Sequence, residues 1–168
     1  LLLAYHHPSQ PLQLDPNRYE MLTLGQEVLL PYVRPDLQGQ ATHRLPGAAA
    51  HPVPFLAYAP GAYLGRVVEW AIKQFSSPVH LQAMYETDMS ESLKAMAIEG
   101  HGVAFLPTSS VRQALRDGRL VDASPPGIFF GATLEIRLYR EKPQPGKGKT
   151  MAHSLWDLLA SNLLKPDT

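Results

Sequence analysis

Glycine and proline stand at the joints of one stretch, MAIEGHGVAFLPTSSVRQALRDGRLV (residues 96–121), and they leave it little choice of fold. A helix-like pattern stops at Gly100, a short apolar run, VAFL, ends at Pro107, a second helix starts at once on Ser and Thr, and Gly118 stops it. That is a helix, a buried strand and a helix with minimal connections. Upstream the same alternation repeats. VPFLAY (residues 53–58) reads as a short strand, and Leu64, Val67, Val68, Ala71, Ile72 and Phe75 carry the spacing of a buried helical face. Val79, Leu81, Ala83 and Tyr85 then alternate as in a strand. TDMSESLKAMAIEG predicts a helix capped by Asp88 with Glu91 and stopped by Gly100, its apolar stripe being Met89, Leu93, Met96 and Ala97. Strands and helices in strict alternation with short links predict a wound α/β layer over residues 52–123 with a mostly parallel sheet.

On either side the pattern is looser. Residues 1–5 (LLLAY) read as a strand with no turn or cap before it, so the chain is expected to start mid-fold, with something upstream missing. YEMLTLGQEVLLPYV predicts one or two short strands around Gly25, ending near Pro31. Residues 34–52 lack periodicity and read as an excursion or linker. LEIRLYRE alternates as a strand, KPQPGKGK follows as a basic loop, and MAHSLWDLLASNLL closes the chain as an amphipathic helix.

Composition removes several functions. Fifteen Lys and Arg balance fifteen Asp and Glu, so these residues alone are not expected to grip DNA. Cysteine is absent, which excludes disulfides, thiolate catalysis and cysteine-ligated metals, and suits a reducing cytosol. The longest uncharged apolar run, residues 53–64, contains Pro and Gly and is too short to span a bilayer. LLLAYHHPSQP has no basic region ahead of its apolar residues and is broken by Pro8 and Pro11, unlike an export signal.

A wound sheet also says where to look for a ligand: at the carboxyl ends of its strands, where helix N-termini bring free N–H groups and positive dipole ends. Two such points are legible, YAPGAY (residues 58–63) and ETDMSES (residues 86–92). Neither is a phosphate loop, because no G-x-G-x-x-G opens a helix and no Lys-Ser/Thr pair follows the glycines. Thr87, Asp88 and Ser90 could equally serve only as helix caps. No G-x-S-x-G or H-E-x-x-H appears, so no catalytic residue is assigned and an enzyme is not expected. His6 and His7, adjacent at a strand end, would point to opposite faces, and no metal or other cofactor site is assigned.

Residues 85–121, YETDMSESLKAMAIEGHGVAFLPTSSVRQALRDGRLV, resemble the effector-binding domain of LysR-type transcriptional regulators. The features that carry the likeness are the polar turn at residues 87–90, the Gly100-x-Gly102 pair, the strand ending at Pro107, and Gly118 with Leu120. Within that family the cysteine-free composition and DMSESLKAM look most like a regulator that responds to hypochlorite by methionine oxidation. The resemblance implies two Rossmann-like lobes of the periplasmic-binding-protein type joined by two crossing strands, near residues 28–33 and 134–139. The first lobe would be incomplete here. Residues 1–33 would form part of lobe I, 34–137 lobe II and 138–168 the return to lobe I, while the family's N-terminal winged helix-turn-helix has no counterpart in the chain. It further implies a cytoplasmic homo-oligomer, dimer or tetramer, that binds DNA through that domain and a small molecule or anion in its cleft. The ligand-binding residues would be Tyr58, Pro60, Gly61, Tyr63, Thr87, Asp88, Met89 and Ser90, with His6 at the end of the first strand, and Met89 and Met96 would be the oxidation switch. A solute-binding protein of transport shares the architecture and is the alternative, and a small-molecule enzyme on the same fold is a further one.

Overall fold

The computed structural model describes residues 1–143 and 151–163, so residues 144–149 of the expected basic loop and the last residue of the expected final helix lie outside the described residues. The chain divides into two compact units, Leu1–Gln26 with Glu135–Thr168, and Glu27–Leu134. Two strands, β2 (Tyr19–Val33) and β7 (Ala132–Glu141), run from one unit into the other. The boundaries expected from the sequence, after residues 33 and 137, fall at the end of one of these strands and within the other.

In the smaller unit β1 (Leu2–His6) pairs antiparallel with β7, Leu2 opposite Tyr139 and His6 opposite Glu135. Helix α4 (Met151–Leu163) is pinned through Trp156, its one buried residue among those described. The Arg140 guanidinium lies 4.5 Å from the centre of that indole and reaches Glu20 at 2.6 Å and Asp157 at 3.6 Å. A stacked, doubly paired arginine holds a helix that otherwise leaves Leu155 and Leu158 exposed.

The larger unit is the wound layer. Strand β3 (Val53–Tyr58) pairs parallel with β4 (Leu81–Thr87) on one side and β5 (Val103–Pro107) on the other. Antiparallel β2 joins β5 and the short β6 (Val121–Asp122). Helices α1 (Tyr63–Gln74), α2 (Ser90–Ile98) and α3 (Thr108–Arg116) fill the crossovers. All five residues of β5 are buried, as befits a strand covered on both faces. Leu56, Val67, Leu93, Phe105 and Val111 are all buried in the core, and Phe130 stacks at 4.3 Å on Phe75 and edge-on at 5.7 Å against Phe105.

Several local expectations are corrected. β2 is a single fifteen-residue strand that passes through both Gly25 and Pro31. Pro31 has no N–H to give the ladder, and its carbonyl accepts the Ala123 N–H at 2.9 Å. Residues 34–52 are no linker: both ends belong to the larger unit, two β-bridges order them, and Leu45 is buried. Edge strand β4 is exposed over most of its length despite its alternation. The box of Asp88 with Glu91 does not form, since α2 starts later, with Met89 as its N-cap, and Glu91 pairs instead with Lys94. Met89 is 59% exposed and so is not core. The glycine stops are as read: Gly100 (φ +90°) and Gly118 (φ +66°) each donate to the carbonyl three residues back, while His101 and Arg119 reach back five residues to Met96 and Ala114.

Candidate functional site

Parallel pairing of β3 with β4 sets Tyr58 opposite Thr87, so both strands end at one level and the chain leaves each for a helix start. The Ala59 N–H donates to the Thr87 carbonyl at 2.9 Å and ties the two exits together. On the first exit Gly61 takes φ +86°, a turn that a side chain would strain, and α1 begins at Tyr63 without a side-chain cap. On the second, Thr87 Oγ1 accepts the Met89 N–H at 3.3 Å and α2 likewise lacks a side-chain cap. Pro60, Gly61, Asp88 and Met89 are exposed, Tyr63, Thr87 and Ser90 half-buried, and Tyr58 is buried. Met96 is half-buried on α2.

Arg66 was not foreseen. It lies in the first turn of α1, where a cation opposes the positive end of the helix dipole. Its guanidinium donates to the Gly61 carbonyl and lies 5.8 Å from the Tyr63 ring centre. The sequence held the signal: YLGR puts arginine where helices favour acids, a placement that an anion at the turn would offset.

A second polar centre sits where α3 begins. Pro107 is the N-cap and gives no side-chain cap, and the start of α3 on Ser and Thr is met instead by Glu27, from the neighbouring strand β2. The Glu27 carboxylate, 5% exposed, accepts the Val28 N–H at 2.9 Å, the Ser109 N–H at 3.2 Å and the Ser109 hydroxyl. Thr108 Oγ1 donates to the Val28 carbonyl and lies 2.8 Å from the Tyr32 hydroxyl. Burial pushes the Tyr32 phenol up, and the Asp122 and Glu27 charges add to it against the Thr108 bond. Every one of these groups is committed to another, so the centre reads as structural.

His6 belongs to the smaller unit, at the end of β1 opposite Glu135. Burial lowers its pKa below the ordinary 6.5, Arg137 lowers it further, and Glu135 partly opposes both. His7 is buried with Nδ1 2.7 Å from Ser9 Oγ. Among the described residues no cluster of three or more His, Asp or Glu side chains is placed to hold a metal ion.

The sequence profile described as LysR substrate binding domain matches residues 3–162. The chain belongs to that family. Over 103 residues it is 31% identical to the HTH-type transcriptional regulator YjiE of Escherichia coli K12, an alignment covering 61% of this chain and 33% of YjiE. The regulatory domain of HypT from Salmonella typhimurium superposes with a TM-score of 0.76 in its apo form, at 23% identity, covering 95% of this chain and 70% of that one. Its bromide-bound form gives 0.73. Full-length HypT, described as a hypochlorite-specific LysR-type transcriptional regulator, gives 0.74 at 23% identity over 94% of this chain and 50% of that one. At such identity these structures establish the fold, the mixed α/β fold of LysR effector-binding domains. This LysR-type domain spans about a third of the length of YjiE. The family is one of transcription regulators rather than enzymes, and the transport alternative is not favoured.

Proposed function

We propose that the chain is the effector-sensing and oligomerisation module of a cytoplasmic bacterial LysR-type regulator, in which an N-terminal winged helix-turn-helix outside this sequence binds DNA. A small anion is the effector class we assign to the two helix starts, with Gly61 and Ser90 offering main-chain N–H groups, and Pro60, Tyr63, Thr87, Asp88 and Met89 shaping the turns. What carries this reading is the pairing of those two starts through the Ala59 to Thr87 bond, with Arg66 in the first turn of one of them. The bromide-bound HypT domain is in keeping with an anion in a protein of this fold. Titration with sodium bromide, followed by the amide NMR signals of Gly61 and Ser90, tests it. Saturable shifts that weaken severalfold in both Thr87→Val and Arg66→Met are expected. Unchanged shifts in both variants would remove the helix starts from the site.

Met89 supports a second reading, oxidant sensing, because the N-cap of α2 is a 59% exposed thioether beside that turn. Hypochlorous acid transfers its oxygen to the thioether sulfur, giving the sulfoxide, chloride and a proton. The chloride is thus released where an anion is expected to be held. Met84, 57% exposed on β4, is an internal standard. Peptide mapping after mild hypochlorite should find Met89 oxidised faster than Met84, with Met96 following once α2 loosens. Equal rates at Met84 and Met89 would mean simple exposure and no sensor.

A further inference from the structure

At the other end of α2 from the proposed effector turns, the larger unit carries an open groove of about 760 Å³, within the usual size of a small-ligand site. Arg34, Asp36, Leu37, Ile98, Glu99 and Arg119 line it, together with the two helix-stop glycines, Gly100 and Gly118. The nine residues of α2 rise about 1.5 Å each, so the groove stands more than ~10 Å from the helix starts.

Two of its charges, Arg34 and Glu99, are in no ion pair among the described residues. The Arg34 guanidinium donates at 3.4 Å to the Glu99 carbonyl. Asp36 is committed to its own turn, one oxygen accepting the N–H groups of Gln38 and Gln40. Arg119 holds only Asp117, at 3.3 Å, a solvated pair of little strength. A side chain at position 100 would come within 3.2 Å of Arg34 Cδ, so the bare glycine lets the arginine stem lie across the end of α2. Leu37 is fully exposed, and Ile98 and Pro35 extend the apolar wall.

Two arginines against two carboxylates favour neither a dianion nor a dication. Both α2 and α3 present their carboxyl ends, the negative ends of their dipoles, which favours a cationic group beside an arginine that favours an anionic one. We propose that this groove is a second ligand site, taking a small zwitterion of the amino-acid type. Its carboxylate meets Arg34, its ammonium meets Glu99, and its apolar side chain lies on Leu37 and Ile98. The chemistry differs from that of the helix starts, where N–H donors and Arg66 select a simple anion, and the proposal does not rest on that reading.

The test is an amide NMR titration of the whole chain with leucine, with isocaproate, which is leucine without its amino group, and with isoamylamine, which is leucine without its carboxylate. Leucine is expected to move the Gly100 and Gly118 signals saturably, and each analogue to bind about tenfold more weakly, as loss of one charge-assisted bond implies. Arg34→Met should bring leucine down to the level of isoamylamine, and Glu99→Gln should bring it down to that of isocaproate. Both side chains are exposed, so both variants should keep the remaining spectrum. No saturable shift with leucine, or isocaproate binding as well as leucine, would overturn the proposal. So would shifts confined to Gly61 and Thr87, which would place the ligand at the other end of α2.

Discussion

Replacing Glu27 by alanine should cost the larger unit more than any surface carboxylate would. Its side chain is 5% exposed and accepts three hydrogen bonds, two from main-chain N–H groups. One of those, on Ser109, is an otherwise uncapped donor in the first turn of α3, so the carboxylate acts as a helix cap supplied by a strand distant in sequence. Losing such a cap costs about 0.5–2 kcal/mol, and leaving the Val28 N–H without an acceptor costs about 1–3 kcal/mol. Two terms work the other way: the exposed Ser109 can turn its hydroxyl to water, and removing a buried charge relieves its desolvation. The net expectation is a loss of about 2 kcal/mol, with Glu27→Gln near half of that because the amide keeps one acceptor oxygen. With a urea slope of ~2 kcal/mol/M, the alanine variant should unfold at a midpoint about 1 M lower than the parent chain. A shift of less than ~0.2 M would refute the reasoning, because it would mean that water replaces the carboxylate at no cost.

Gly131→Ala should lose about 1–3 kcal/mol in the same urea assay, since its new Cβ would fall 2.0 Å from the Leu29 carbonyl oxygen and push β2 away from the residue that leads into β7. Gly118→Ala, with nothing within 4 Å of its Cβ, should lose only about 1 kcal/mol, from the left-handed backbone alone, φ +66°. Stability should decline as pH falls below 6.5. Burial lowers the pKa values of His6 and His7, so the native state favours neutral rings, and that contribution, complete above 6.5, is lost as pH falls through the folded values. Urea midpoints at pH 7.5 and 5 should therefore differ less in His7→Gln than in the parent chain.

The strand and helix order of residues 53–123 was legible because each element carries its own period and its own stop. Gly100 and Gly118 end helices for a backbone reason that needs no neighbour, and VAFLP is buried because a uniformly apolar run has no other stable place. The two turns of the proposed effector site were legible for the same reason, as chain exits from paired strands. Arg66 could have been found from its position against the helix dipole. Glu27 could not, because nothing in QEVLL distinguishes a cap for a helix some eighty residues later from an ordinary exposed glutamate. Asp88 and Glu91 matched a local capping pattern, yet the strand before them fixes Thr87 and starts α2 at Ser90, which takes both out of capping position.

What the amino-acid sequence determined by itself was therefore short in range: propensity, periodicity, and the glycines and prolines that end elements. These act between residues a few positions apart and survive in any fold that keeps the segment. Tertiary structure alone decided that β2 runs unbroken through Pro31, where the proline carbonyl meets Ala123, that Met89 is exposed, and that one groove gathers Arg34, Glu99 and Arg119. Each of those outcomes depends on which distant segment supplies the partner, and hydrogen-bond saturation and burial are satisfied only when the whole layer has closed.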